Sequence, residues 1–270
     1  MLRSKSILFC TGAYVYHSCW DAWVAYFNDQ GYEAIAPPWP GKNDDPNILR
    51  RRHPDARLAA VTMPQLVKHY EDIARNLSEK PIVIGHSFGG LIAQILMNKG
   101  LASACVAIHA VPPQGVLPYE IDFYRSNTKA FGYFTSLQKT YLISFKTWKF
   151  AFANGLEPAA QRSSYEDLAI PESKRILRGG LTNSARVDFK QPHPPLLIVA
   201  GSQDQCIPAH LCRRVYQRYT DRSSVISFVE KQRSHLVLGL RTWKENAEFI
   251  YQWLQEQKGI HINQGVYSKA

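Results

Sequence analysis

Ser87, Asp204 and His235 are of the three residue types that a nucleophilic relay needs, and each stands in a stretch that could present it. Ser87 lies in Gly85-His86-Ser87-Phe88-Gly89, where a β-branched run, Pro81-Ile82-Val83-Ile84, leads directly into the helix-forming Leu91-Ile92-Ala93-Gln94-Ile95-Leu96. Strand, sharp turn and helix are what a nucleophile elbow demands, with the serine hydroxyl exposed on a strained corner. Gly85 and Gly89 suit such a corner, because a side chain at either position would crowd its backbone. A serine hydroxyl is a weak nucleophile at neutral pH. It needs a base, and the base needs a carboxylate to orient it. Asp204 in Gly201-Ser202-Gln203-Asp204 and His235 in Ser234-His235-Leu236 supply those types, in the chain order serine, acid, histidine. Taken singly, Asp204 would serve equally as a turn residue and His235 as a surface histidine.

The elements that must position them alternate. The pattern predicts strands over 6–11, 32–36, 81–84, 105–109, 195–200 and 224–229. Helices are expected over 18–30, 62–77, 88–98, 208–219 and 242–257, with capping boxes at Thr62/Gln65 and Thr242/Glu245. Strands alternating with helices of this length indicate βαβ units and a mostly parallel, doubly wound sheet. In such sheets ligands bind outside the carboxyl ends of the strands, so all three residues would project to one edge. The segment from 37 to about 60 reads as a long polar loop, and the tail from Lys258 as loose. Residues 112–190 break the alternation. They are rich in aromatics at irregular helical spacing, with no convincing strand, and read as a helical insertion between two parts of one sheet domain, 1–111 and 191–270.

The chain resembles an α/β-hydrolase of the single-domain esterase type with a helical cap. The likeness rests on Gly-His-Ser-Phe-Gly-Gly at 85–90, the G-x-x-D-x-x-x-P segment at 201–208 and Ser-His-Leu at 234–236, and it covers nearly the whole length. It implies Ser87 as nucleophile, His235 as base and Asp204 as the acid. His86 resembles a packing position of the family. The resemblance also implies an oxyanion hole built from the N–H of Phe88 and a second N–H after the first strand, with Ala13 favoured over Tyr14. Here the chain departs from the family, which usually carries His-Gly where Thr11-Gly12 stands. Substrate contacts are expected from His17, in the loop facing the elbow, and from Trp39, Phe134 and Trp148. The aromatic insertion would roof a mostly apolar pocket.

The expected activity is two-step hydrolysis of a carboxylic ester, small, lipophilic or aromatic. Within the same fold amidase, thioesterase and lactonase chemistry stay open, as do cofactor-free peroxidation, lyase and dioxygenation chemistry and a non-catalytic ligand receptor. A serine at 87 argues against the dehalogenases and epoxide hydrolases that this sequence also resembles, which use aspartate there. No metal or organic cofactor is expected, and neither a P-loop nor G-x-G-x-x-G is present.

Composition narrows the rest. A hydrophobic content of 45% over 270 residues is enough for one large α/β domain. No apolar run reaches the roughly 20 residues of a membrane span, and the short run 7–10 is no signal-peptide core. Five scattered cysteines without C-x-x-C spacing fit reduced thiols and a cytoplasmic location. The net charge of +10 is dispersed, apart from Arg50-Arg51-Arg52 and Arg213-Arg214, and reads as solvated surface. A small-molecule substrate, no nucleic-acid partner, and a monomer or homodimer are expected.

Overall fold

The computed structural model describes residues 2–239 and 242–259. From the N-terminus, β1 (Ser6–Cys10) runs through a short 3₁₀ turn into α1 (Asp21–Asp29), and β2 (Glu33–Ile35) follows. The expected loop after β2 contains two short helices, α2 (Pro46–Arg51) and α3 (Ala56–Ala60). Asp45 and Asp55 start them, Asp45 accepting the Asn47 N–H and Asp55 those of Arg57 and Leu58. Next come α4 (Met63–Asn76), β3 (Ile82–His86), α5 (Phe88–Asn98) and β4 (Ala104–Ile108).

Between β4 and β5 the chain makes a helical excursion: α6 (Ile121–Phe131), α7 (Phe145–Ala151), α8 (Pro158–Leu168) and α9 (Lys174–Gly179). Then β5 (Leu196–Gly201), α10 (Ala209–Arg218), β6 (Ile226–Lys231) and α11 (Trp243–Gln257) complete it. The capping box at α4 forms, with the Thr62 N–H donating to Gln65 Oε1 at 2.8 Å. At α11 it does not, because Glu245 pairs with Arg233 and no side chain caps the helix. The expected loose tail falls, from residue 260 on, outside the described residues.

All strand pairs are parallel, in the order β2-β1-β3-β4-β5-β6. β1, β3, β4 and β5 are buried throughout, as continuous apolar strands covered on both faces should be, whereas edge strands β2 and β6 are partly exposed. Phe9 of β1 stacks on Trp20 at 4.5 Å and meets Trp23 edge-on at 6.4 Å, fastening α1 to its face of the sheet. Against the sheet, α5 buries ten consecutive residues, Phe88 to Met97.

The order has one consequence for function. From β1 the chain goes outward to β2, then returns to the other side of β1 as β3. The direction of winding reverses between β1 and β3, and the loops leaving their carboxyl ends diverge to open a crevice. Those loops carry Gly12 to Tyr14 and Ser87. No helix among the described residues is long and apolar enough to cross a membrane.

Candidate active site

Ser87 follows the last residue of β3 and precedes the first of α5, with φ 57° and ψ −120°. That backbone is uncommon for a residue with a side chain and persists because its surroundings fix it. The Ser87 N–H donates to the Ile108 carbonyl at 2.9 Å, and its carbonyl accepts from Gly90 and Val111 at 3.0 Å each. The corner packs against the end of β1 so closely that a Cβ on Gly89 would lie 1.9 Å from the Cys10 carbonyl oxygen.

The Ser87 Oγ lies 3.0 Å from His235 Nε2 and is placed to donate to it. Nδ1–H of the same ring donates to Asp204 Oδ2 at 2.7 Å. The three side chains, far apart in the chain, therefore meet in one line. Ser87 is 4% exposed, Asp204 4% and His235 0%, so the relay is nearly dry. Asp204 is fixed by its own loop, its Oδ1 accepting the N–H of Cys206 at 2.7 Å and of Ile207 at 2.8 Å. Burial alone would raise its carboxyl, but His235 and His109 hold it well below the usual carboxylate range. Burial alone would make His235 less basic, yet the Asp204 carboxylate outweighs it and raises His235 above an ordinary imidazole. Phe152 of the helical excursion meets the His235 ring edge-on at 4.8 Å, and its carbonyl accepts the Leu236 N–H at 3.0 Å.

His86 donates Nε2–H to the His235 carbonyl at 2.8 Å, which ties the His235 loop to β3 and turns that ring nitrogen away from the serine hydroxyl. Burial, with His235 and His109 nearby, pushes its imidazole well below 6.5. His86, His109 and His235 each offer a nitrogen within 4.8 Å of the others. Of their six ring nitrogens four are already engaged by Ser87, Asp204 and the His235 carbonyl, and the two without partners stand on different rings. The donor set suits a hydrogen-bonded cluster better than a metal.

Across from Ser87, the loop after β1 comes close because Gly12 has no side chain; a Cβ there would be 2.9 Å from Ser87 Cβ. The Tyr14 N–H is engaged by Glu172 Oε2 at 3.1 Å, with Tyr14 itself at φ 67°. No protein acceptor takes the Ala13 N–H among the described residues. The Phe88 N–H, first in α5, can have no intrahelical acceptor. Ala13 and Phe88 thus keep free donors beside Ser87, and Tyr14 does not.

A cavity of about 120 Å³, partly open to solvent, reaches Ser87. Ala13, Tyr14 and Phe88 line it, with Val111, Phe123 and Leu177 among its apolar walls. The four side chains expected at the substrate are not in that lining. His17 and Trp39 line a separate shallow crevice with no room for a ligand. Trp39 is buried behind Phe88, edge to face at 5.8 Å. Trp148 is fully buried and stacks on Phe152 at 4.7 Å, backing the ring that meets His235. Phe134 is fully exposed on the outer surface of the helical excursion. Place in the loop facing the elbow marks His17 and aromatic type the other three, and neither says which way a side chain turns.

Two groups at the site escape sequence reasoning. His109, the residue after β4, donates Nδ1–H to Asp204 Oδ2 at 2.9 Å. Its position was a signal, since a titratable group just past the strand beside β3 must lie at the same edge. Glu172 holds Tyr14 and pairs with Lys42 at 2.5 Å, both side chains buried. Nothing local in the sequence pairs residues 130 positions apart.

The alpha/beta hydrolase family model matches residues 7–248, so the chain belongs to that family. Solved structures share the fold. An extracellular alpha/beta-hydrolase from a Paenibacillus species, described as sharing structural and functional homology with tobacco salicylic acid binding protein 2, is 18% identical, with a TM-score of 0.68 over 91% of this chain and 97% of that one. A pyrethroid hydrolase from Sphingobium faniae is 18% identical, with a TM-score of 0.65 over 96% of this chain and 100% of its own. A methylesterase from Arabidopsis is 15% identical, with a TM-score of 0.65 over 93% of this chain and 99% of that one. No curated protein matches the sequence.

Proposed function

We propose that this hydrolase cleaves neutral, lipophilic carboxylic esters by two-step acyl transfer through Ser87. The observation that carries the reading is the unbroken line from Ser87 Oγ to His235 Nε2 (3.0 Å) and from His235 Nδ1 to Asp204 Oδ2 (2.7 Å). His235 takes the hydroxyl proton as Oγ attacks the carbonyl carbon. Asp204 keeps the Nδ1–H tautomer and offsets the imidazolium that forms. The tetrahedral oxyanion is met by the N–H groups of Phe88 and Ala13, a pair whose individual loss typically costs about 10²–10³ in turnover. His235 then protonates the leaving alcohol, and the same imidazole activates water against the acyl-enzyme.

The substrate class follows from the pocket. None of the residues lining it carries a formal charge, so a free carboxylate or ammonium would enter without a partner, at a desolvation cost. Esters fit that wall, and names among the structural likenesses, a pyrethroid hydrolase and a methylesterase, agree. Residues 112–190 act in this reading as the cap, closing the pocket and pressing Phe152 on the base. The test is turnover of p-nitrophenyl butyrate by the wild type and by Ser87→Ala, with a fall of at least about 10³-fold expected. Turnover that Ser87→Ala leaves unchanged removes the mechanism.

A further inference from the structure

Asp204 Oδ2 accepts two imidazole N–H groups where a serine–histidine–acid relay needs one. His235 Nδ1 lies 2.7 Å from it and His109 Nδ1 2.9 Å from the same atom. With Cys206 and Ile207 on Oδ1, four donors converge on one buried carboxylate. An ionised carboxylate only accepts, so both rings are Nδ1–H tautomers here. His109 Nε2 is buried without a partner, so Asp204 is the ring's one hydrogen-bond partner among the described residues.

His109 is fully buried, at φ 47°, and its N–H still donates to Val199 at 2.7 Å. Gly201 leaves room for the ring, since a Cβ there would fall 2.4 Å from His109 Cε1. Left-handed backbone, fixed strand end and missing neighbour side chain all serve to aim one nitrogen at Asp204.

We propose that His109 is a positioning residue that divides the charge of Asp204 between two imidazoles and so sets the pH at which His235 can accept the Ser87 proton. The inference deepens the serine-hydrolase reading and rests on it. A hydrogen bond to Oδ2 stabilises negative charge there, and charge so stabilised holds the His235 imidazolium less tightly. Without His109 the full pull of the carboxylate falls on His235, which then gives up its proton only at higher pH. The other titratable groups around the ring are His86 of β3 and His235, each with ring centroid 6.1 Å away, Asp204 with Cys206 in the loop after β5, and Cys212 of α10, whose thiol donates to the Ala110 carbonyl at 4.0 Å.

Two variants tolerate the left-handed backbone and separate donor from ring. His109→Gly removes the donor, while His109→Asn puts an amide nitrogen where Nδ1 stands. The acid limb of kcat/KM for p-nitrophenyl butyrate should move up by about half to one pH unit in His109→Gly, a loss of about 3–10-fold at pH 6 beyond any change in plateau. His109→Asn should return the limb to within about 0.2 unit of wild type. A limb that His109→Gly leaves in place, or that Asn does not restore, overturns the proposal.

Should His109→Gly not fold, proton NMR of the ¹⁵N-histidine-labelled wild type decides. Two imidazole Nδ1–H signals shifted downfield by a carboxylate are expected, one of them lost in His109→Asn, and fewer than two contradicts the proposal. Failure here is distinct from failure of the hydrolase reading. An unmoved limb with turnover abolished by Ser87→Ala removes only the role of His109, whereas turnover that survives Ser87→Ala removes the reading beneath it.

Discussion

Ser87 sits where backbone conformation and hydrogen bonding oppose each other: φ 57° is unfavourable, yet three backbone hydrogen bonds of 2.9 to 3.0 Å close around it. The strain is kept because it aims Oγ at His235. The protonation states follow from the same geometry. Asp204 raises His235 above its ordinary value near 6.5, and only the neutral ring is a base, so activity is lost as pH falls through the raised value. The acid limb of kcat/KM should therefore lie above about pH 6.5, measured as ester turnover across pH. Asp204→Asn should move it down and lower kcat by about 10⁴. Linkage runs oppositely for the two partners. The depressed Asp204 contributes stability above about pH 4 that is lost on acidification through its folded value. The raised His235 contributes below about pH 6.5, and that part is lost as pH rises through its own. At this scale the sequence was legible where function is local or ends a strand. Ser87, Asp204 and His235 each follow a strand, in segments of recognisable type. Tyr14 was open beside Ala13 as a donor, because only Glu172, distant in sequence, engages its N–H.

Glu172 is also the joint between elements. It stands between α8 and α9, exchanges backbone hydrogen bonds of 2.8 Å with Tyr141, and reaches Lys42 in the loop after β2 and Tyr14 in the loop after β1. Burial lowers the Lys42 ammonium and Glu172 offsets part of that, so removing the carboxylate strands a cation in the interior. Glu172→Gln should cost about 3–5 kcal/mol of stability, read from urea unfolding, because a broken buried pair leaves its partner uncompensated. The loop bearing Ala13 should loosen with it. A smaller loss in the double variant Glu172→Gln/Lys42→Met than in Glu172→Gln alone would identify the stranded charge as the cause. Helices and strands were legible from periodicity to within a residue or two at most ends. The short α2 and α3 were not, since six and five residues are too few for a period to show, although Asp45 and Asp55 stood before them as caps.

At the scale of the whole molecule the described residues form one sheet with a helical excursion pressed on the edge that carries Ser87, Asp204 and His235. Trp148 stacks on Phe152 and Phe152 abuts His235, so that excursion bears directly on the His235 ring. α1 is fixed to the loop that carries His235 by Trp23, fully buried, with Nε1–H donating to the Leu238 carbonyl at 3.3 Å. Trp23→Ala should destabilise by about 3–5 kcal/mol in thermal or urea unfolding. Members of both basic clusters are held by neighbouring groups: Arg213 by Glu230 at 3.1 Å, Arg214 by Glu120 at 2.7 Å, Arg50 by the Ala169 carbonyl at 2.8 Å. A mostly parallel sheet, and one edge for Ser87, Asp204 and His235, could be read from the alternation of elements, while the strand order could not. The lining of the pocket could not, because it depends on how four helices without regular periodicity settle over the sheet, which left Phe134 outside and Trp148 within the core. In the proposed mechanism Ser87 is an activated nucleophile. The most direct test is labelling of the native protein with an alkyl fluorophosphonate, followed by peptide mapping. One phosphonyl group on Ser87 per chain, absent in His235→Ala, is the result expected. Ester hydrolysis proceeding with Ser87 unlabelled would contradict it.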